Sequence, residues 1–260
     1  MRYNLHTHTK RCNHADGEDR EYVEAAIKAG IKTLGFSDHC PQFFPGTDYY
    51  SNFRMRPEQL DDYVNSINDL KREYANDINI LLGLEAEYYP KTYDEFIKFV
   101  RQYKLDFLIL AQHFVGNEFD RDSFYAPVKN FDEALLERYV EQVCDGMRRR
   151  VFTYFAHPDI PYYNGDPLYY RQKMSELCTV AKDLRIPLEY NLLGLVNKKC
   201  YPKPEFWKVA AEVSNDVVIG YDAHSPEALL QDEAFFRCVL NLNALGLSPM
   251  EFSKIKLRKI

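Results

Sequence analysis

The chain of 260 residues is long enough to bury a sizeable core, and its size suits a single (β/α) barrel, so we predict one domain over residues 1–260. Its 46% hydrophobic and 28% charged residues are typical of a globular protein, and a net charge of −6 argues against broad nucleic-acid binding. The sequence opens without a signal-peptide pattern and has no apolar run near the roughly 20 residues that span a bilayer. We therefore predict a cytoplasmic protein with no membrane contact.

Seven β-rich segments alternate with stretches of helical periodicity along the chain. The segments are YNL at 3, TLGFSD at 33, INILLGLEAEY at 78, LDFLILAQHF at 105, VFTYFAHP at 151, IPLEYN at 186 and DVVIGYDAHS at 216. Between them the apolar spacing changes to three and four residues, as in Leu60, Val64, Ile67 and Leu70, which is typical of a helix packed on a sheet. Such alternation predicts parallel strands with right-handed crossovers, in an open sheet or a barrel, and seven units favour the barrel.

The histidines all fall at or just beyond the C-terminal end of a predicted strand. They are His6, His8, His14, His39, His113, His157 and His224. In barrels and open α/β sheets this edge carries the functional site, because the loops that follow the strands close over a ligand there. The sequence therefore predicts that the histidines lie together at one edge.

Three of the strands end in pairs of polar residues spaced two apart. These pairs are His6 with His8, Glu85 with Glu87, and Asp222 with His224. Residues two apart on a strand share a face, and these residue types bind zinc, manganese or iron. Each pair alone could be a polar strand end, but burying so many unpaired imidazoles together would be costly without a metal. Strand parity does not choose between Glu85 and Glu87.

The motifs LHTHTKRCNHADG, GFSDHC, GLEAEYYP, AQHF, FAHPD and GYDAHS span residues 5 to 225. In this order they resemble those of the PHP (polymerase and histidinol phosphatase) superfamily. The segments NFRMRPEQL at 52 and LEYNLLGLVNKKCYP at 188 are similar to those of its monofunctional histidinol-phosphatase branch. The resemblance implies a distorted (β/α)7 TIM-like barrel, the PHP fold, with three divalent metal ions (zinc, manganese or iron) at the C-terminal ends of the strands.

The resemblance also implies which residues bind each metal. The implied ligands are His6, His8, Glu85 and Asp222 for the first metal; Glu85 as a bridge with His113 and His157 for the second; and His14, His39 and His224 for the third. The Gly-x-Glu pattern of the family selects Glu85, which follows Gly83, over Glu87. Cys12 and Cys40 lie beside ligands in the pattern without being ligands themselves.

The implied activity is the hydrolysis of L-histidinol phosphate to L-histidinol and phosphate, a step of histidine biosynthesis. Hydroxide that bridges the first two metals would attack phosphorus, with Glu85, Asp222 and His224 as the catalytic residues. Protonation of the departing alkoxide is typically worth about 10² to 10⁴ in rate, and Asp222 or water on a metal could supply the proton.

Three residues are predicted to contact this small phosphomonoester substrate. Arg54 is the candidate for phosphate, since a guanidinium group matches phosphate oxygens, although a solvent-exposed loop arginine is an equally good interpretation. Asn191 could hydrogen-bond the amino or imidazole group, and Phe114 could line an imidazole pocket. Val196 and Asn197 replace an arginine that is usual in the branch, so Lys198 or Lys199 could take its place.

Other functions remain open at this level. Within the superfamily, the protein could act on nucleotides or another small phosphomonoester, or it could be a non-catalytic metal-binding scaffold. A structural zinc module held by Cys12, His14 and Cys40 is a third alternative. The six cysteines lie far apart without CxxC spacing, which favours reduced thiols over disulfides. The sequence does not indicate an oligomeric state.

Overall fold

Strands and helices alternate in a computed structural model of the protein, which describes residues 2–260. Met1, the first residue of the predicted domain, lies outside the described residues. The strands are β1 (Tyr3–Asn4), β2 (Thr33–Phe36), β3 (Asn79–Ala86), β4 (Phe107–Leu110), β5 (Phe114–Val115), β6 (Phe124–Tyr125), β7 (Leu188–Asn191) and β8 (Val217–Gly220). The α-helices are α1 (Asp19–Lys28), α2 (Leu60–Glu73), α3 (Tyr93–Val100), α4 (Glu133–Arg148), α5 (Pro167–Leu184), α6 (Leu192–Val196), α7 (Pro204–Val213) and α8 (Asp232–Ala244).

The parallel strands form a ring that single backbone bridges close. β1, β2, β3 and β4 form one parallel sheet in that order, and β7 pairs in parallel with β8. Phe155 forms one bridge to Leu110, at the end of β4, and another to Leu188, at the start of β7. Thr7, which follows β1, bridges Ala223, which follows β8, and this contact connects the first and last strands of the ring. These bridges confirm the predicted (β/α)7 barrel.

Two local predictions need correction. The segment predicted as a strand at 151–158 joins the ring through backbone hydrogen bonds of residues 153–156 to β4 and to the start of β7, but only Phe155 forms bridges, and the left-handed backbone of His157 (φ 30°) ends the extended conformation. The segment predicted as one strand at 105–114 is interrupted after β4, and its last residue begins an antiparallel hairpin of β5 and β6. Neither feature has a periodic sequence signal, since one is a change in backbone conformation at a single residue and the other is a pairing of two-residue strands.

The core has two layers, one between the strands and the helices and one inside the barrel. α2 follows the predicted spacing, with Leu60, Ile67 and Leu70 buried against the sheet. Inside the barrel, Phe107 is fully buried, and a Cβ atom at Gly83 would lie 2.5 Å from its ring. The ring occupies the place of a side chain at Gly83, so the interior is filled.

Two sequence-based expectations concern the membrane and the thiols. No helix within residues 2–260 combines the length and apolarity needed to cross a bilayer. All six cysteines are free thiols, and all except Cys200 are buried.

Candidate metal centre

Glu85 lies at the centre of the predicted ligand cluster, where β3 ends. Its Oε1 is 3.0 Å from His157 Nε2 and 3.3 Å from His6 Nε2. Its Oε2 is 2.6 Å from His39 Nδ1 and 3.8 Å from His8 Nε2. One buried carboxylate thus faces four imidazoles from three segments of the chain, an arrangement suited to a bridging ligand.

Asp222 closes the other side of the cluster after β8. Its Oδ1 is 3.0 Å from His8 Nε2, 3.5 Å from His6 Nε2 and 3.4 Å from His224 Nδ1. The backbone of Asp222 is left-handed (φ 52°), as is that of His157. A left-handed conformation costs about 1–3 kcal/mol in a residue other than glycine. Residues in this conformation are concentrated at functional sites, where the backbone sets the direction of the side chain.

The remaining histidines extend the cluster toward solvent. His14 Nε2 and His224 Nε2 are 3.0 Å apart, and each ring places its Nδ1 against a backbone carbonyl, that of Cys12 at 2.8 Å and that of Asp222 at 2.9 Å. Because Nδ1 donates to a carbonyl, Nε2 of each neutral ring carries a lone pair, and the two lone pairs face each other. A proton or a metal cation held by these two nitrogens would offset this repulsion.

Three buried carboxylates contact the Nδ1 atoms of imidazoles in the centre and so leave the Nε2 atoms free. Glu189 Oε1 is 2.7 Å from His6 Nδ1, and Asp38 Oδ1 is 3.4 Å from His8 Nδ1. Glu87 Oε1 is 3.1 Å from His113 Nδ1. A carboxylate that accepts the Nδ1 proton leaves Nε2 as the free ligand atom and fixes the orientation of the ring, as in many metal sites.

The electrostatic field of the centre favours positive charge. Burial lowers the pKa of His6, but the carboxylates of Glu189, Asp222 and Glu85 outweigh it and raise that pKa to about 10. Burial opposes ionisation of Asp222, yet the adjacent His6 and His8 hold its pKa well below the usual range. The centre therefore holds ionised carboxylates and binds either additional protons or metal cations.

The donor set fits divalent transition metals. The buried Nε2 atoms of His6 and His8 lack hydrogen-bond partners among the described residues, although each faces carboxylate oxygens. Imidazole nitrogen and carboxylate oxygen together suit zinc, manganese and iron. The clusters close enough to share an ion include His6–His8–Asp222, His6–Glu85–His157 and His8–His39–His224.

A cavity of about 880 Å³ opens directly above these ligands. Its floor includes Glu85, Asp222 and several of the histidines, and its walls are largely aromatic. The wall residues are Phe53, Phe114, Tyr125, Tyr162 and Tyr201. The predicted metal ligands therefore lie at the bottom of a space large enough for a small organic phosphate.

Comparisons with known proteins place this geometry in a family. The PHP domain model matches residues 4–192. The chain belongs to the PHP domain family. A relative from Deinococcus radiodurans named "Probable histidinol-phosphatase" is 32% identical over 229 residues, which cover 85% of each chain. The histidinol-phosphatase of Bacillus subtilis is 33% identical over 118 residues, or 44% of each chain.

A solved PHP-like barrel has the same overall structure. The histidinol phosphate phosphatase of Lactococcus lactis, solved with zinc, L-histidinol and phosphate, aligns with a TM-score of 0.73. The alignment covers 96% of this chain and 95% of that one. At 20% sequence identity, this similarity establishes the fold of the PHP domain and nothing finer.

The residues predicted to contact substrate occupy three different environments in the PHP domain. Phe114 lines the cavity and stacks on Phe53, with ring centroids 5.9 Å apart. Asn191 is buried, and its amide group bonds to Gly194, Glu189 and Asp222. Arg54 is buried among carboxylates and lies outside the lining of the cavity. The positions of Asn191 and Arg54 support roles in holding other residues rather than the predicted substrate contacts.

Glu189 is a site residue that the sequence-based predictions overlooked. It lies two residues before Asn191 on β7, so the same alternation that marked His6 and His8 would have placed both side chains on one face. The alternative zinc module is not assembled, since Cys12 groups with His14 and His224 among the described residues, whereas Cys40 joins no such group.

Gly220 provides a test of the Glu189 contact that changes no predicted ligand. A Cβ atom at this position would lie 1.7 Å from Glu189 Oε1, the atom that bonds His6. We expect Gly220→Ala to displace the carboxylate and weaken metal affinity by about 10–100-fold, the usual effect of losing such a contact. Metal retained after dialysis against a graded series of chelator concentrations measures the effect. Wild-type retention in this variant would contradict the assigned contact.

Proposed function

We propose that the protein is a metal-dependent phosphatase that hydrolyses L-histidinol phosphate to L-histidinol and phosphate. The observation that carries the proposal is the convergence of seven histidines on Glu85 and Asp222, with five of the histidines and both carboxylates lining one cavity. The name of the relative from Deinococcus radiodurans, which covers most of the chain, supports the substrate.

The proposed centre holds three divalent cations, which are zinc, manganese or iron. The proposed ligands are His6, His8, Glu85 and Asp222 for the first ion, Glu85 with His113 and His157 for the second, and His14, His39 and His224 for the third. Bound cations of this kind neutralise a phosphate dianion and lower the pKa of water from about 15.7 toward about 7, which makes hydroxide available at neutral pH.

The residues of the chain orient this chemistry. Glu85 faces histidines proposed for each of the three ions, so this one carboxylate would help to hold all three sites. Because the pKa of Asp222 lies well below its usual range next to His6 despite burial, Asp222 is ionised at neutral pH. It therefore suits a metal ligand or proton acceptor better than the proton donor considered from the sequence. The aromatic walls exclude water from the organic part of the substrate.

A phosphate-release assay with a panel of phosphomonoesters tests the substrate. We expect kcat/KM for L-histidinol phosphate to exceed that for nucleoside monophosphates and p-nitrophenyl phosphate by about 100-fold or more, since a shaped pocket discriminates at this level. Equal turnover of nucleotides would reject the substrate and favour a broader phosphoesterase. Metal content well below two ions per chain after loading, without turnover of any substrate, would instead favour the non-catalytic scaffold.

Lys199 supplies positive charge to the wall of the cavity. It is the only lysine or arginine among the described residues that line the cavity, and its side chain is exposed. Its Nζ lies 5.8 Å from the ring of Tyr201, which in turn lies 5.7 Å from the ring of His157. We propose that Lys199 attracts the substrate phosphate.

Replacement of Lys199 by alanine is expected to raise KM roughly tenfold with little change in kcat, the effect of losing one exposed charge-assisted contact. Initial rates over a range of substrate concentrations measure both constants. Lys198→Ala is the matched control, since Lys198 is also exposed but does not line the cavity. Equal effects of the two substitutions would mean that general surface charge attracts the substrate.

The cytoplasmic location and the single domain over residues 1–260 stay predictions. The proposed substrate is a small molecule, so no nucleic acid or membrane partner is required.

A further inference from the structure

Arg54 is a buried cation that lies next to the metal centre but does not line the cavity. Only 3% of the residue is exposed. One of its terminal nitrogens, Nη2, donates to Glu87 and also to Glu118 Oε2 at 2.6 Å. The other, Nη1, donates to the carbonyl oxygen of Cys40 at 3.2 Å. The guanidinium group is thus directed at two carboxylates and a backbone carbonyl, which leaves it poorly placed for a substrate.

Glu87 connects Arg54 to the metal centre. One carboxylate oxygen accepts from Arg54, and the other lies 3.1 Å from His113 Nδ1 and 3.3 Å from the backbone nitrogen of His113. Both contacts with His113 require an acceptor, so they hold the ring by its Nδ1–H and the backbone by its N–H. This leaves His113 Nε2 as the nitrogen available to a metal.

His113 lies where this orientation matters. Its ring centroid is 5.0 Å from that of His157 and 5.3 Å from that of His39, and it lines the cavity. Without Arg54, the carboxylates of Glu87 and Glu118 would be left buried without the cation between them. Rotation of the carboxylates away from each other would relieve such an arrangement, and rotation of Glu87 would release His113.

We propose that Arg54 is a positioning residue, which acts through Glu87 to hold His113 in the orientation that presents its Nε2 to the metals. The proposal rests on the metal dependence of the proposed function and not on the identity of the substrate. Arg54 also joins three segments of the chain, since Cys40, Glu87 and Glu118 follow different strands.

The experiment measures metal retention, independently of turnover. Wild type, Arg54→Met, Glu87→Gln and the double variant are loaded with Co²⁺, their visible spectra are recorded, and the Co²⁺ that remains is measured over a chelator series. We expect Arg54→Met to weaken one site by about 10–100-fold and to change the spectrum. Glu87→Gln should have a smaller effect, because its single amide oxygen can still accept from His113 while Glu118 continues to accept from Arg54.

The double variant distinguishes action through Glu87 from general destabilisation. If Arg54 acts through Glu87, Arg54→Met should cause a much smaller further loss of Co²⁺ in the Glu87→Gln background than in wild type. Equal losses in the two backgrounds would overturn the proposal. Glu118→Gln provides the comparison, since Glu118 bonds Arg54 but not His113, and Arg54→Met should retain its full effect in that background.

Lys173→Met is the matched control for loss of a buried cation. Lys173 also bridges two carboxylates, Glu137 at 2.8 Å and Glu176 at 3.2 Å, but it lies on α5. We expect wild-type Co²⁺ retention in this variant, and a loss equal to that of Arg54→Met would overturn the proposal. If Arg54→Met does not fold, Arg54→Lys in both Glu87 backgrounds gives the same comparison. A wild type that binds Co²⁺ but does not hydrolyse L-histidinol phosphate would reject the proposed substrate alone.

Discussion

Replacing Glu85 with glutamine is expected to lower kcat/KM by about 10³-fold or more, beyond the 10–100-fold typical of residues that only orient metal ligands. The carboxylate faces His6, His8, His39 and His157 within 3.8 Å, so its charge acts on the whole cluster. Glutamine has nearly the same size but lacks the charge and offers one oxygen in place of two. We therefore also expect fewer bound ions per chain, measured by metal analysis alongside steady-state kinetics.

Glu87→Gln is the matched control for this experiment. Glu87 is equally buried and lies two residues away, but it contacts Arg54 and His113 in place of the four histidines around Glu85. We expect its effect on kcat/KM to stay within about 100-fold. A larger loss in Glu87→Gln than in Glu85→Gln would show that the bridging role has been given to the wrong glutamate.

Removal of the metals is expected to abolish hydrolysis and to lower stability. All the proposed ligands except His14 and His224 are buried, and the carboxylates among them are ionised, so the folded chain binds cations that the unfolded chain binds poorly. An ion that binds only the folded state adds about 2.7 kcal/mol to the free energy of unfolding at a concentration 100 times its Kd. Urea unfolding with and without chelator measures this difference, and phosphate release before and after chelation measures the activity.

Adding metal back to the stripped protein distinguishes a loss of activity caused by metal removal from damage caused by the chelator. Zinc, manganese and Fe²⁺ are added back singly to the stripped protein, and the ion that restores the highest rate at equal occupancy is the best candidate for the native metal. Magnesium, which prefers oxygen ligands, is the control and should restore little. Full activity in protein from which metal analysis finds all ions removed would refute the metal-dependent mechanism.

Glu85 and Glu87 have different contacts that the sequence pattern does not predict. The spacing of two residues predicts a shared face, and both side chains do lie near the metal centre. Their separate environments arise because β3 ends at Ala86, so that Glu87 lies beyond the strand and meets Arg54 from another loop. Contacts with a segment 33 residues away in the chain have no periodic signal.

Residue type also misled the prediction at Arg54, which was assigned to the substrate, and at Glu189, which was not assigned to the site. Arg54 suggested a phosphate contact by its residue type, and only its burial beside Glu87 and Glu118 indicates a different role. Glu189 lies in an ordinary β-strand and became a site residue because Gly220 on the neighbouring strand leaves room for its carboxylate beside His6. Residue type alone predicted neither position.

By itself, the sequence predicted the alternation of strands and helices, favoured the barrel over an open sheet and placed every histidine at or just beyond the end of a predicted strand. These features follow from local periodicity, which a single segment carries. Only the tertiary structure decided which nitrogen of each imidazole faces the cavity, which carboxylates hold the rings and which cation lines the wall. Those choices depend on atoms brought within about 3 Å by closure of the barrel, since hydrogen bonds act only at that range.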